Sequence, residues 1–417
     1  MTDRTLPQRS FSVGMLLYDT RYRAMTIQVV AIMCFMLLVA WLIGNTIQNL
    51  NALGKGVSFG FLNQPASYDI NQRLIEYTSR STHLRASVVG LLNTLLLAVM
   101  GCLLATVIGV FVGVLRLSHN WIVARLMTVY IEVFRNVPVL LWIVFAMAIL
   151  IDTLPRPADF RGENATASMY FGDTVALTNR GLYIPEPLFM NSLGDLPVLG
   201  VFEISLDLLA FVLVLGAGLW ATARIRRRAD RIQEDTGIRP VTWHWRILLL
   251  AGPTAFLLYI LGFTLGLPEL KGFNFKGGIH MRNSLIALWL ALSLYTAAFI
   301  AEAVRAGIMA VSKGQTEAAY SLGLRPGRTM SLVILPQALR VIIPPLISHY
   351  LNLTKNSSLA IAVGYMDVTG TLGGITLNQT GRELESILLL MACYLAISLS
   401  VSAVLNWYND RVRLKER

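Results

Sequence analysis

Long apolar segments constrain this sequence more than any other feature. A helix that crosses a membrane needs about 20 mostly apolar residues, and the chain of 417 residues holds about eight such segments. They lie at about 24–48, 84–114, 122–152, 206–223, 246–266, 284–306, 341–365 and 384–407. Only 14% of the residues are charged, whereas an average soluble domain has about 25%. The sequence therefore predicts an all-α polytopic membrane protein.

The basic residues indicate how the predicted helices are oriented. The formal net charge is +11, and Lys and Arg are enriched in cytoplasmic loops of membrane proteins. One set of loops, which includes the run 224–231, carries roughly twice as many basic residues as the other. Eight spans place both termini on one side, so both termini are expected to be cytoplasmic. A nucleic-acid partner is not expected, because no groove of interleaved basic and aromatic residues is visible.

The sequence lacks the patterns of an enzyme or a metal site. No G-x-x-x-x-G-K-[ST] loop is present to hold nucleotide phosphates, and no G-x-S-x-G nucleophile motif occurs. The five histidines are scattered singly, without the spacing of metal ligands. We expect no catalytic residue, no metal and no cofactor. A secondary transporter is disfavoured as well, because neither inverted repeats nor acidic residues at mid-span are visible.

The most informative segment is 314–359, which follows the sixth predicted span. Glu317, Ala318 and Ala319 are expected to begin a short helix, and Gly323 to end it with positive φ. Pro336 is expected to break the next apolar stretch. The helix either docks into a groove on a soluble partner or lies on the bilayer surface. The residues alone favour neither alternative.

Several motifs in this region form a recognisable set. Glu317, Ala318, Ala319 and Gly323, followed by Leu335 and Pro336, resemble the EAA loop of ABC-importer permeases. The polar-amino-acid branch of that family is similar at LPQALR (335–340), PPL (344–346), KNSSL (355–359), YTAAFIAE (295–302), RAG (305–307), NTL (93–95) and YIEVFRNVP (130–138). The resemblance covers about 84–152 and 284–410 and implies a five-helix, MetI-like permease core.

The stretch between these two blocks departs from compact members of the family. It adds two predicted spans and an outside segment, 153–205, whose prolines favour irregular or short elements over a packed domain. This enlarged form resembles the general L-amino-acid (Aap/Bzt) type. The expected organisation is an N-terminal part (1–83), a first core block (84–152), an insertion (153–283) and a second core block with the EAA loop (284–417).

The resemblance implies a function and a set of partners. The chain is expected to be an inner-membrane permease subunit that moves L-amino acids from periplasm to cytoplasm without hydrolysing ATP itself. A separate ATP-binding subunit, a second and non-identical permease subunit and a periplasmic amino-acid-binding protein are the expected partners. Glu317, Ala318, Ala319 and Gly323 are expected to sit in a groove of the ATP-binding subunit.

Charged residues inside spans are candidates for the substrate pathway, because such residues are costly in a membrane and usually functional. Glu132 with Arg135, and Glu302 with Arg305, are three residues apart and are expected to pair. Arg135 and Glu302 either meet the substrate or form structural ion pairs near the cytoplasmic boundary. The polar run Lys355, Asn356, Ser357 and Ser358 either lines the pathway or caps a helix near the outer surface. Asn93 and Thr94 are expected to form hydrogen bonds between spans.

Overall fold

The computed structural model describes residues 14, 18–52, 54, 56–162, 165–198 and 202–412. Its helices are α1 (Thr20–Ala52), α2 (His83–Leu115), α3 (Trp121–Asn136), α4 (Val139–Thr153), α5 (Leu206–Thr236), α6 (Trp243–Ile260), α7 (Asn283–Met309), α8 (Lys313–Ser321), α9 (Pro326–Thr329), α10 (Leu335–Asn356), α11 (Leu377–Thr380) and α12 (Glu383–Val412). A π-helical turn, Met330–Ile334, joins α9 to α10, and a second, Thr369–Thr376, precedes α11. A 3₁₀ segment, Ser357–Val363, follows α10.

Seven helical segments of the described residues are long and apolar enough to cross a membrane, which confirms the polytopic helical fold. The predicted segment 246–266 forms α6 and then a strand, and α6 is not among the seven. Helix α6 has only 18 residues, and its first turn carries His244 and Arg246, which shortens its apolar part. The expectation of a single span at 122–152 is wrong, because two helices, α3 and α4, occupy it.

Pro138 explains the break between α3 and α4. Proline disfavours helical geometry in the residue before it, and Val137 adopts an extended conformation with φ −105° and ψ 134°. Pro138 itself then occupies the N-cap position of α4. The sequence NVP at 136–138 therefore divides a continuous apolar stretch into two short helices.

The protein interior is built around α7, whose apolar stretch is the most enclosed of the seven. Helix α2 approaches it closely at Gly113, where a Cβ atom would lie only 2.7 Å from the backbone oxygen of Ala301. Small residues allow such close approach between membrane helices. At the other end of α2, Asn93 Nδ2 donates to the backbone oxygen of Met366 at 2.8 Å, and Thr94 Oγ1 accepts from Val368 N–H at 3.1 Å. These bonds link α2 to the segment 366–368, which connects the 3₁₀ segment to the second π-helical turn, whereas the prediction was of bonds between spans.

Short antiparallel strands form outside the spans, which the all-α expectation did not include. They are β1 (Ala176–Thr178), β2 (Gly181–Ile184), β3 (Glu186–Phe189), β4 (Asp195–Val198), β5 (Phe202–Ser205), β6 (Phe263–Gly266), β7 (Glu269–Lys271), β8 (Asn274–Lys276) and β9 (Ile279–Arg282). They pair as β1-β2-β9, β3-β6, β4-β5 and β7-β8. The segments on either side of the α5–α6 hairpin are thus joined through β2–β9 and β3–β6. The described part of 153–205 consists of short elements, as predicted.

The described residues up to Phe61, with Arg382–Glu385, form one compact unit, and the remaining described residues form a second. In the first unit, Arg382 Nη1 donates to the backbone oxygen of Gly56 at 2.6 Å. Glu385 Oε1 accepts from Ser58 N–H at 3.0 Å. Two segments that are far apart in sequence are therefore held together by hydrogen bonds.

Candidate functional site

The loop after α7 forms the short helix α8. Its C-terminus is closed by two reverse hydrogen bonds: Gly323 N–H donates to the Tyr320 oxygen at 2.9 Å, and Leu324 N–H donates to the Ala319 oxygen at 3.1 Å. This pattern requires a left-handed residue, and Gly323 has φ +76°. The predicted helix end is confirmed, but the helix begins at Lys313, one turn earlier than Glu317.

The side chains of α8 divide into an exposed and a buried set. Glu317 and Ala318 are exposed, and Leu322 at the end of the helix is 81% exposed. Ala319 is only 4% exposed, because it faces its own chain. We define the exposed set Glu317, Ala318, Leu322 and Gly323 as the coupling knob. An apolar side chain as exposed as Leu322, beside a glycine, is suited to insert into a groove of another protein.

The chain continues from α9 into α10 without the break expected at Pro336. A proline lacks the N–H that would bond four residues back. Here the preceding residues form a π-helical turn, in which Leu335 N–H donates to the oxygen of Met330, five residues back. Pro336 follows as the second residue of α10, so the missing N–H falls where the hydrogen-bonding pattern changes from π to α. The link between α8 and the long α10 is therefore continuously helical from Pro326.

A cavity of about 350 Å³ lies between α7 and α10. Its lining consists of Tyr295, Thr296, Phe299, His349, Asn352 and Asn356. The three α10 residues are spaced three and four apart, so they share one helix face. Asn352 is exposed although it lies within a long apolar segment. Of the predicted pathway residues, only Asn356 lines this cavity. The i, i+3, i+7 spacing of His349, Asn352 and Asn356 was the sequence signal that could have identified His349 and Asn352 as cavity residues.

Arg135 lies beside this cavity, but it does not make the predicted ion pair with Glu132. Its guanidinium group stands over the ring of Phe299, 5.4 Å from the ring centroid, in a cation–π contact. Glu132 instead accepts a hydrogen bond from Asn136 Nδ2 at 3.2 Å. Among the described residues the two charges are therefore separate, and Arg135 remains available as an exposed cation beside a cavity-lining ring.

Glu302 is held by two arginines of its own chain. Arg305 Nη2 donates to Glu302 Oε1 at 2.6 Å, which confirms the predicted pair. Arg116, just after α2, binds the other carboxylate oxygen. Because both oxygens are engaged, the geometry favours the structural ion pair over substrate contact for Glu302. The contact also ties the end of α2 to α7.

The polar run 355–358 spans the end of α10. Lys355 is exposed, and Ser358 Oγ bonds back to the Lys355 oxygen at 2.9 Å. Ser357 is fully buried and donates to the Thr354 oxygen at 2.8 Å. These bonds favour the capping alternative for both serines. The α-helix changes to a 3₁₀ segment at Ser357.

A buried polar cluster supports this helix end. Tyr394 of α12 lies 3.2 Å from Ser357 Oγ, donates to Asp367 Oδ2 at 3.0 Å and lies 2.9 Å from Thr369 Oγ1. Asp367 Oδ1 accepts from Gly370 N–H at 2.8 Å. Because buried polar groups are costly when unpaired, this cluster fixes the segment after α10 against α12. Sequence reasoning did not identify it.

The sheet β1-β2-β9 holds one titratable pair with a clear perturbation. The ring of His280 on β9 stacks on Tyr183 of β2 with centroids 4.2 Å apart. Burial is the largest cause that lowers the pKa of His280 below its usual 6.5. Its Nε2 lies 3.3 Å from the oxygen of Arg180. Among the described residues, no group of three or more His, Cys, Asp or Glu side chains is arranged to hold a metal ion.

Comparisons with known proteins give consistent matches. Residues 242–414 match the family described as binding-protein-dependent transport system inner membrane component. The chain is 57% identical to the glutamate/glutamine/aspartate/asparagine transport system permease protein BztB of Rhodobacter capsulatus, over 99% of this chain and 98% of that protein. It is 42% identical to the general L-amino acid transport system permease protein AapQ of Rhizobium johnstonii, over 96% of this chain and 95% of that protein. A crystal structure titled as an amino acid ABC transporter with histidines aligns with a TM-score of 0.42 and 18% identity, over 79% of this chain and 95% of that chain.

Proposed function

Because this chain belongs to the family of binding-protein-dependent transport system inner membrane components and is an ABC-transporter permease subunit, we propose that it forms one half of the membrane channel of an amino-acid importer. Relatives that match nearly its whole length are amino-acid permeases. The substrates are L-amino acids, which move from periplasm to cytoplasm. A separate subunit hydrolyses the ATP, since the chain has no phosphate-binding loop.

The coupling knob is the proposed contact with the ATP-binding subunit. The observation that carries this assignment is the 81% exposure of Leu322 at the closed end of α8, in a loop that holds Arg325 and Arg328. A groove that grips the knob moves α8, and the helical link from Pro326 passes the movement to α10. Ala319 contributes to the coupling indirectly, because its small buried side chain lets α8 pack closely against the rest of this chain.

The cavity between α7 and α10 is the proposed half of the substrate pathway. Its amide, hydroxyl and imidazole groups, with Arg135 nearby, suit the carboxylate and ammonium groups of an amino acid. The exposure of Asn352 supports a second permease subunit, because an exposed amide in lipid would lack hydrogen-bond partners. Lys355 stays a candidate for the substrate pathway at the end of the cavity. We assign structural roles to the other three: Glu302 forms ion pairs, and Ser357 and Ser358 cap the end of α10. The second subunit is expected to be a similar, non-identical permease.

The proposed orientation places both termini and the coupling knob in the cytoplasm of the inner membrane. The basic run of α5 and the arginines near α8 support it, by the enrichment of Lys and Arg in cytoplasmic loops. This orientation requires α6 as an eighth span, in a hairpin with α5. The short strands between α4 and α5 then face the periplasm, where we assign them to docking of the amino-acid-binding protein.

Co-purification of the complex tests the coupling assignment. Glu317→Lys and Gly323→Glu both alter the coupling knob, and each is expected to release the ATP-binding subunit from a tagged permease. Gly327→Glu is the matched control, because Gly327 is an exposed glycine of the same loop with ordinary backbone geometry. Retention of the ATP-binding subunit by both knob variants would overturn the assignment.

A further inference from the structure

Helix α5 is longer than a membrane requires. Its apolar part, 206–223, is about 27 Å long at 1.5 Å per residue, close to the roughly 30 Å thickness of the hydrocarbon core. The helix then continues to Thr236. Residues from about 220 to 231 therefore lie at headgroup depth and just beyond, on whichever side of the membrane this end faces.

The continuation of α5 presents a basic stripe. Residues 220, 224, 227 and 231 are spaced four, three and four apart, so they lie on one face of the helix. A groove of about 750 Å³ runs along this face and is lined by Trp220, Arg224, Arg227, Arg228 and Arg231, with Leu249 from α6. We name this the arginine groove. Its lining includes four arginines and no acidic residue.

The charges of the arginine groove are not neutralised within the described chain. Arg227, Arg228 and Arg231 make no ion pair with any described acidic residue. The nearby Asp230 is instead paired with Arg239 at 2.8 Å. Arg224 stands over the ring of Trp220, 5.2 Å from its centroid. An unpaired cluster of four cations repels itself and attracts an anion with several oxygen atoms.

The surroundings of the groove are those of a membrane interface. Trp220 is 63% exposed, and Trp243 and Trp245 at the start of α6 are similarly exposed. Tryptophan is enriched at the level of lipid headgroups. Gly218 of α5 lies against Leu249 and Leu250 of α6, so the two helices meet at this depth. Leu249 adds an apolar surface at the membrane end of the groove.

We propose that the arginine groove binds the phosphate headgroup of an anionic phospholipid, with the arginines on the phosphate and Trp220 and Leu249 beside the acyl chains. Basic pockets between membrane helices are suited to such headgroups. The site belongs to the insertion between the two core blocks, apart from both the coupling knob and the cavity. It does not depend on the proposed transport function or on which leaflet the groove faces.

Native mass spectrometry of the full chain in detergent tests this site, with phosphatidylglycerol and phosphatidylcholine of identical acyl chains as probes. The wild type is expected to retain phosphatidylglycerol preferentially. Arg227→Gln should reduce that preference about fivefold, which corresponds to about 1 kcal/mol for one basic residue near an anionic lipid surface. The charge-matched control Arg226→Gln, on the same helix but outside the groove, should leave it unchanged.

Three additions make the test decisive. Circular dichroism of each variant verifies that the helices are intact, and Arg231→Gln provides an independent second groove variant. Addition of millimolar inorganic phosphate should leave the lipid bound, because the phosphate ion lacks acyl chains. Equal retention of the two lipids by the wild type, equal effects of Arg226→Gln and Arg227→Gln, or displacement of the lipid by inorganic phosphate would each overturn the proposal.

Discussion

Replacement of Gly113 by alanine tests the close packing of α2 on α7. The new Cβ atom would lie 2.7 Å from the backbone oxygen of Ala301 and 2.9 Å from Val304 Cβ. A backbone oxygen cannot rotate away, so the two helices must separate. Overpacking of this kind costs about 1–3 kcal/mol, whereas alanine gains up to about 1 kcal/mol over glycine in a helix interior.

A matched control separates the gain in helix propensity from the cost of the clash. Gly216 lies inside α5, and a Cβ atom there would meet no atom within 4 Å. Gly216→Ala therefore gains the same propensity without a clash. The free energy of unfolding of Gly113→Ala should fall about 1–3 kcal/mol below that of Gly216→Ala.

Unfolding of the purified chain in mixed micelles, followed by circular dichroism at increasing denaturant, measures this difference. The two variants should have equal denaturant slopes and different midpoints. Equal midpoints would refute the reasoning, because they would mean that α2 and α7 do not approach as closely as the distances indicate.

Three further predictions concern the cavity, the polar cluster and the sheet β1-β2-β9. Asn352→Leu should lower amino-acid uptake by the reconstituted complex at least tenfold while the subunits still co-purify; unchanged uptake would exclude Asn352 from the pathway. Tyr394→Phe removes the hydroxyl that bonds Asp367 and should lower the free energy of unfolding by about 1–3 kcal/mol. The control Tyr259→Phe, at an exposed site, should leave the free energy of unfolding unchanged. His280 has a lowered folded pKa, so its contribution to stability is complete above its unfolded value of 6.5 and declines as pH falls below it. His280→Gln should flatten the acid side of a stability–pH profile, and an unchanged profile would contradict this.

The membrane fold was largely predictable because apolar length and charge are properties of the sequence itself. The Glu302–Arg305 pair was expected from helical spacing and is present, although the same spacing at Glu132 and Arg135 gives no ion pair. Gly323 was predictable too, since its left-handed φ is a local requirement of the helix end. Each of these features depends on residues that are close together in the chain.

The features that were missed depend on contacts between distant segments. Arg135 pairs with an aromatic ring of α7 instead of the nearby Glu132, which spacing along α3 cannot reveal. The cavity combines Phe299 with Asn352 from another helix. Pro336 was expected to end a helix, but a π-helical turn accommodates it. The strands β2 and β9 pair across about 100 residues that include the α5–α6 hairpin.

Cross-linking of the coupling knob tests the central claim most directly. A single cysteine is introduced by Ala318→Cys in a variant whose Cys34, Cys102 and Cys393 are replaced by serine. The complete complex is then treated with a maleimide that carries a photoactivatable benzophenone, which couples to the introduced thiol and, on illumination, inserts into a C–H bond of the protein that lies beside it. We predict a cross-link between this permease and the ATP-binding subunit, and no such cross-link from Ala158→Cys, an exposed position of the segment 153–205. A cross-link from the Ala158→Cys variant alone, or labelling of Ala318→Cys only from the periplasmic side, would contradict the account.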